Sequence, residues 1–247
     1  LADVAGAKGT VLAFIGVECP LVKLNAPKIA RLAEEYRERG IAFVVIDPNA
    51  QDSLAELKAF ATSQKFSFPV LMDKGGAVAS SLSIERVPTV LLLDGEKRVV
   101  YRGRLDDQYG FRPGLEGRRL SYQLPKPKRR DLAEAIEELL AGKEISVAQT
   151  EATGCLVGHS RSPDVSAKVT YSNQVVRLFN DRCVYCHRAG QIGPFALGNY
   201  EDAAGWAEMI AEVVSERRMP PWHADPAHGE FANDARLSED EIQLVKD

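Results

Sequence analysis

The 247 residues are enough for one large or two small domains, and 45% apolar with 27% charged residues excludes a disordered, collagenous or disulfide-dense chain. The net charge of −4 is uneven: residues 1–145 carry 22 Lys+Arg against 20 Asp+Glu, and residues 146–247 carry 9 against 15, which excludes a nucleic-acid-binding balance. The longest apolar runs, residues 11–17 and 90–93, fall far short of the ~20 residues a transmembrane helix needs, so no membrane-spanning segment is expected. In chain order, residues 10–15 read as a buried strand, and residues 21–39 as a helix with Leu24, Ile29, Leu32 and Tyr36 at helical spacing and Gly40 as its stop. Residues 41–46 read as a second buried strand, followed by a helix capped by Ser53, with Leu54, Leu57 and Phe60 on one face. A short strand at 69–72, a short helix at 76–82 and a hairpin of 89–93 with 98–102 come next, and then a helix over 131–140 ended by Gly142. Strands alternating with helices, then a hairpin and a last helix, predict an α/β sandwich on a mixed sheet.

Residues 105–130 interrupt this pattern. They are rich in Gly, Pro and Arg without clear periodicity, and predict a long surface insertion. Within residues 112–130 lie seven basic residues and one acidic, a patch suited to docking on an acidic domain or partner. Residues 146–171 read as a linker. A helix from Ser172, with Val175, Val176, Leu178 and Phe179 on one side, runs into Cys183-Val184-Tyr185-Cys186-His187. Residues 199–217 read as helical, and Met219-Pro220-Pro221-Trp222 breaks them. A final helix starts at Ser238 with Glu241 as its capping-box partner, and its apolar face is still being written at Leu244 and Val245 where the chain stops.

The four cysteines are too few for a disulfide scaffold, so each needs its own chemical reading. Cys183 and Cys186 have the spacing at which two thiols add to the two vinyl groups of one haem, with His187 placed to reach the iron. A thioredoxin-type redox pair, a zinc half-site and two buried thiols are the alternatives; zinc needs two further ligands. Met219, 32 residues after His187, is the expected second axial ligand, with His223 as its competitor. The order helix, C-x-x-C-H, helix, Met-Pro, helix resembles a small class I cytochrome c. That resemblance implies one covalently bound haem c, with contact between the terminal helices through Val175, Phe179, Leu244 and Val245.

A strand at 11–15, then Gly16-Val17-Glu18-Cys19-Pro20, then a helix resembles the thioredoxin and redoxin family over roughly residues 3–143. Pro27, eight residues after Cys19, and Val87-Pro88-Thr89 before a strand strengthen the match; the latter resembles the family's cis-proline loop, which places Pro88 beside the reactive cysteine. The chain departs from the family at two points. Val22 stands where a thioredoxin has its second cysteine, and Gly16 where a peroxiredoxin has threonine. Cys19 would sit at a helix N-terminus, where the dipole favours the thiolate. Bacterial proteins that join a redoxin-like domain to a cytochrome c domain are similar over both halves, including Gly154-Cys155 and residues 219–225, and this likeness implies Cys155 as the partner of Cys19 in a catalytic or structural disulfide. Two separate buried thiols are the alternative.

The sequence therefore predicts an α/β thioredoxin-like sandwich over residues 1–145, followed by a small all-α cytochrome c domain over residues 172–247. Both are expected to be incomplete: a leading hairpin is missing before Leu1, and the last helix is cut. Three functions are open: electron transfer through the haem, thiol-disulfide or peroxidase chemistry at Cys19 with Cys155 and a haem relay, and a docking platform on a degenerate scaffold. The resemblance implies a redox protein partner, or a further redox domain of a longer chain such as a copper monooxygenase-like one. It also implies a periplasmic or otherwise exported location, because haem c is attached outside the bacterial cytoplasm.

Overall fold

The computed structural model describes residues 8–114, 119–160, 162–164, 166–222, 224 and 226–247. The chain divides into two compact units, residues 1–110 with 122–159, and residues 111–121 with 160–247.

The first unit is built on a five-stranded mixed sheet. Strand β1 (Gly9–Phe14) lies at its centre and is buried at every position. It pairs in parallel with β2 (Ile41–Asp47) and antiparallel with β5 (Thr89–Asp94). Strands β3 (Val70–Met72) and β6 (Val99–Gly103) form the edges. Helices cover the sheet: α1 (Pro20–Arg37), α2 (Leu54–Ser63), α3 (Ala77–Ser81) and α4 (Asp131–Leu140). β1 and β2 read as unbroken apolar runs because their pairing buries both faces. Val22, Ala26, Ile29, Ala33 and Tyr36 form the inward stripe of α1, and Val22 and Ile29, fully buried, each contribute about 1.5–3 kcal/mol. Ser53 and Glu56 form a complete capping box at the start of α2.

Three sequence expectations are corrected or refined here. Residues 105–130, read as a surface insertion without clear periodicity, contain strands β7 (Tyr109–Pro113) and β8 (Arg119–Gln123), which form a separate two-stranded ribbon. Arg129 and Arg130, expected in a docking patch, are engaged inside the first unit. Arg129 bonds the buried Asp131 at 3.1 Å and Glu134 at 2.8 Å, and Arg130 lies 3.7 Å from Glu35. Residues 146–159, read as linker, belong to this unit. Ala148 and Thr150 bond the backbone of Arg102, and β9 (Cys155–Leu156) pairs with β4 (Arg86–Val87).

In the second unit, a π-helical turn (Tyr171–Val175) capped by Thr170 leads into α5 (Val176–Arg182). Helices α6 (Tyr200–Gly205), α7 (Ala207–Ser215) and α8 (Glu239–Lys246) follow. The helix expected over 199–217 is divided at Trp206, whose buried ring stacks on Phe195 at 4.1 Å. The capping box of Ser238 and Glu241 starts α8, and α8 packs on α7 and on the π-helical turn. Among the described residues no helix is long and apolar enough to cross a membrane.

Candidate functional site

Cys19 is the N-cap of α1. Pro20 takes the first helical position, where its missing N–H costs nothing, and the Cys19 carbonyl accepts the first helical hydrogen bond from Lys23 N at 3.0 Å. The Cys19 side chain is fully buried. Its Sγ donates to the Val87 carbonyl oxygen at 3.4 Å, so the thiol lies against the loop whose Val87-Pro88 bond is cis. Val87 is the register partner of Cys155, and the Cys155 thiol is hydrogen-bonded to Cys19. The structure thus brings Cys19, Pro88 and Cys155 together. The two cysteines stand as adjacent thiols, with no disulfide joining them.

Burial is the largest influence on the Cys19 thiol and opposes its ionisation. Hydrogen bonds from the Cys155 side chain and from the backbone of Val22, Cys155 and Leu21 outweigh it and hold the thiol below its ordinary pKa. A thiolate stabilised at a helix start is the nucleophilic form of cysteine.

Two glycines permit this geometry by having no Cβ. A Cβ on Gly154 would lie 1.9 Å from the Val87 carbonyl oxygen, so only glycine lets β9 approach the cis-proline loop. A Cβ on Gly16 would lie 2.2 Å from Asn49 Nδ2, so the Thr-to-Gly departure makes room for a buried side chain.

Asn49 belongs to a group the sequence reading missed. Asp47 ends β2, and Asp52 precedes α2; with Asn49 they form a buried polar cluster behind the Cys19 loop. The sequence offers only a weak hint of it, a carboxylate closing an otherwise apolar strand, which does not reveal the contacts the cluster makes.

The second unit places Cys183 and Cys186 just past the end of α5. Burial pushes the Cys183 thiol up to about 11. The His187 ring packs on Phe195 at 4.9 Å, and its Nδ1 donates to the Phe195 carbonyl oxygen at 3.1 Å, leaving Nε2 as the acceptor nitrogen. Met219 is 38% exposed on a shallow cleft lined with Val214, Arg217, Pro220, Trp222, Leu237 and Ile242. His187 does not line that cleft. His223 lies outside the described residues.

A Redoxin family model matches residues 1–116, the stretch that carries Cys19 and the cis-proline loop. The chain carries a redoxin domain. Its relatives include the thiol-disulfide oxidoreductase ResA of Halalkalibacterium halodurans, 31% identical over 103 residues, which are 41% of this chain and 57% of that protein. ResA of Bacillus subtilis is 29% identical over 100 residues, 40% of this chain and 54% of that protein. The chain therefore spans little more than half the length of these curated relatives. An uncharacterized conserved protein from Geobacillus kaustophilus has a solved structure that superposes with a TM-score of 0.57 at 30% identity, covering 66% of this chain and 83% of its own; the two belong to one family. A hypothetical protein from Sinorhizobium meliloti superposes at 0.56 with 28% identity, over 65% and 85% of the two chains. The thioredoxin-like α/β fold of the redoxin domain follows from the sheet order and these likenesses together.

Proposed function

We propose that the redoxin domain is a thiol-disulfide oxidoreductase, with Cys19 as the attacking thiol and Cys155 as its resolving partner. The observation that carries this reading is the hydrogen bond between the two thiols beside cis-Pro88, which supplies the second cysteine that Val22 denies the helix. The named activity of the ResA relatives supports it. In the reduced domain, the Cys19 thiolate attacks one sulfur of a substrate disulfide. A mixed disulfide forms and one substrate thiolate leaves. Cys155, after losing its proton, attacks Cys19 Sγ, which releases the second substrate thiolate and leaves a Cys19–Cys155 disulfide. Two electrons pass to the substrate, and its two thiolates take up two protons. The conformation described is then the reduced state, and the expected disulfide belongs to the oxidised one. An exported location suits this chemistry, because disulfides persist in oxidising compartments.

The test is a single turnover of reduced protein against a disulfide-bonded peptide. The wild-type chain should end with a Cys19–Cys155 bond in a non-reducing peptide map, and Cys155→Ser should accumulate a mixed disulfide on Cys19. Peptide reduction that persists in Cys19→Ser contradicts the proposal.

The second unit supports a further reading, electron transfer through a covalently bound c-type haem. The residues fit such a group: Cys183 and Cys186 would hold it by thioether bonds, and His187 would face the iron through Nε2 while the Phe195 carbonyl orients the ring. When bound, the haem supplies a one-electron couple. Trp206 backs the Phe195 ring, so the histidine is braced from behind. Expression in a host that attaches haem c, followed by denaturing mass spectrometry, should give one haem per chain. Cys183→Ala with Cys186→Ala should abolish it, and an unmodified wild-type mass ends this reading. Met219→Ala should then remove a sulfur-to-iron band; a wild-type spectrum that lacks the band and changes in His223→Ala assigns the sixth position to His223.

A further inference from the structure

The cluster behind the Cys19 loop joins three segments that the sequence keeps far apart. Asp52 Oδ2 accepts from the backbone N–H of Val17, two residues before Cys19, at 3.0 Å. Asn49 Nδ2 reaches the Ile15 carbonyl at 3.3 Å, Asp47 Oδ1 at 3.1 Å and Asp52 Oδ2 at 3.2 Å. Asn49 Oδ1 accepts from Gly158 N at 3.0 Å, and Ala50 N donates to Gly158 O at 3.0 Å, three residues after Cys155. One asparagine therefore ties the strand leading to Cys19 to the segment following Cys155. Gly16 is the opening through which it reaches.

We propose that Asp47, Asn49 and Asp52 are positioning residues that latch the loop carrying Cys19 to the segment carrying Cys155. The inference rests on the oxidoreductase reading for its purpose, but the latch itself rests on the hydrogen bonds just given.

Two carboxyl groups meet in the latch, and among the described residues Asp47 Oδ2 is fully buried with no hydrogen-bond partner. A proton held on Asp47 resolves this by removing one of the two buried charges. Burial first, and then the charge of Asp52, push Asp47 up to about 8. Burial also raises Asp52, against hydrogen bonds from Val17, Asp47 and Asn49. Among neighbouring groups, Glu56 of α2 adds a further negative charge acting on Asp52. Asp73, after β3, turns its carboxylate to the N–H groups of Val78 and Ala79 at the start of α3, while Cys19 lies on the latched loop itself. Loss of that proton leaves two buried like charges. They must separate, which frees Val17 and with it the Cys19 loop.

The experiment is the rate of Cys19 alkylation in the reduced chain, followed by peptide mass spectrometry from pH 5 to 10. In the wild type the rate should rise with thiol ionisation and again as Asp47 loses its proton. Asp47→Asn cannot lose a proton, so it should abolish the second rise while its circular dichroism spectrum matches wild type. Asn49→Ala cuts the link to Gly158 and should raise the rate at pH 7 by about tenfold, the factor expected for one net hydrogen bond. It should also make the Cys19–Cys155 bond easier to reduce with glutathione. Superimposable profiles for wild type and Asp47→Asn overturn the latch, as does an unchanged rate in Asn49→Ala. A chain that never forms the Cys19–Cys155 bond, but whose profiles still differ, overturns the oxidoreductase reading and leaves the latch standing.

Discussion

Cys19 is a thiol whose reactivity depends on what its neighbours lack. Val87 offers a carbonyl, Cys155 offers a thiol, and both come within reach only because Gly154 has no side chain. Gly154→Ala sets a carbon 1.9 Å from the Val87 oxygen, which no rotamer can relieve because both atoms belong to backbone or Cβ. Strand β9 must then leave β4. The expected result is a loss of about 1–3 kcal/mol in thermal unfolding, the usual cost of overpacking, together with loss of the Cys19–Cys155 disulfide in oxidised samples. Differential scanning calorimetry and a non-reducing peptide map measure the two effects. Cys19 and cis-Pro88 were legible in the sequence because a cysteine after a buried strand and a Val-Pro-Thr before another form a family pattern. Asp47, Asn49 and Asp52 were not. Their meaning lies in contacts with residues 15–17 and 158, and no local spacing encodes those.

At the level of elements, the sheet and its covering helices were legible because burial wrote them directly. β1, β2 and β5 are apolar runs, and α1 carries its inward stripe at helical spacing. The ribbon of β7 and β8 was illegible because it has no buried face to impose a period-two pattern. Gly110 and Pro113 stand in its first strand, residues that normally weaken a strand assignment. Tyr122 accounts for the glycine: its ring lies within 2.7 Å of where a Cβ on Gly110 would be, so an aromatic side chain covers the position across the ribbon. At the ribbon's far end, Arg218 lies over the Phe111 ring at 4.6 Å and Arg119 reaches Glu216 at 3.5 Å. Arg119, part of the basic run expected to dock on an acidic domain or partner, is thus spent on a fixed contact with Glu216. The helix over 199–217 divided for a related reason: burying Trp206 against Phe195 outweighs one more helical turn, and Gly205 makes the break inexpensive.

For the molecule as a whole, pH is the clearest handle on stability. The folded-state pKa of Asp47 is raised to about 8, against ~4 unfolded, so its contribution is complete below about pH 4 and is lost as pH rises through about 8. Glu137 behaves oppositely. Hydrogen bonds from Arg39 and Tyr36 hold it at about 2, and its contribution, present above about pH 4, is lost as pH falls toward 2. The lowered Cys19 thiol opposes Asp47 at alkaline pH, so the measurement is cleanest in Cys19→Ser. In that background, unfolding free energy from urea titrations should decline between pH 5 and 8 at up to about 1.4 kcal/mol per pH unit, the slope for one proton. Asp47→Asn should flatten the decline. An equal slope in both proteins would mean that another group holds the proton.

Cys19 has no exposed surface, so a substrate sulfur meets it only when the molecule opens. Beside it lies the pairing of β4 with β9, only two residues on each strand, which sets Cys155 opposite Val87. Under the proposed oxidoreductase reading, opening of this short ladder would gate exchange at Cys19, much as amide protons exchange through local unfolding. A partner that grips the Cys155 segment and holds it open would accelerate the chemistry without touching the sulfur, whereas a small oxidant such as peroxide must wait for the ladder to breathe. Under that reading, the fold would select reaction partners by their size and grip before any bond is made.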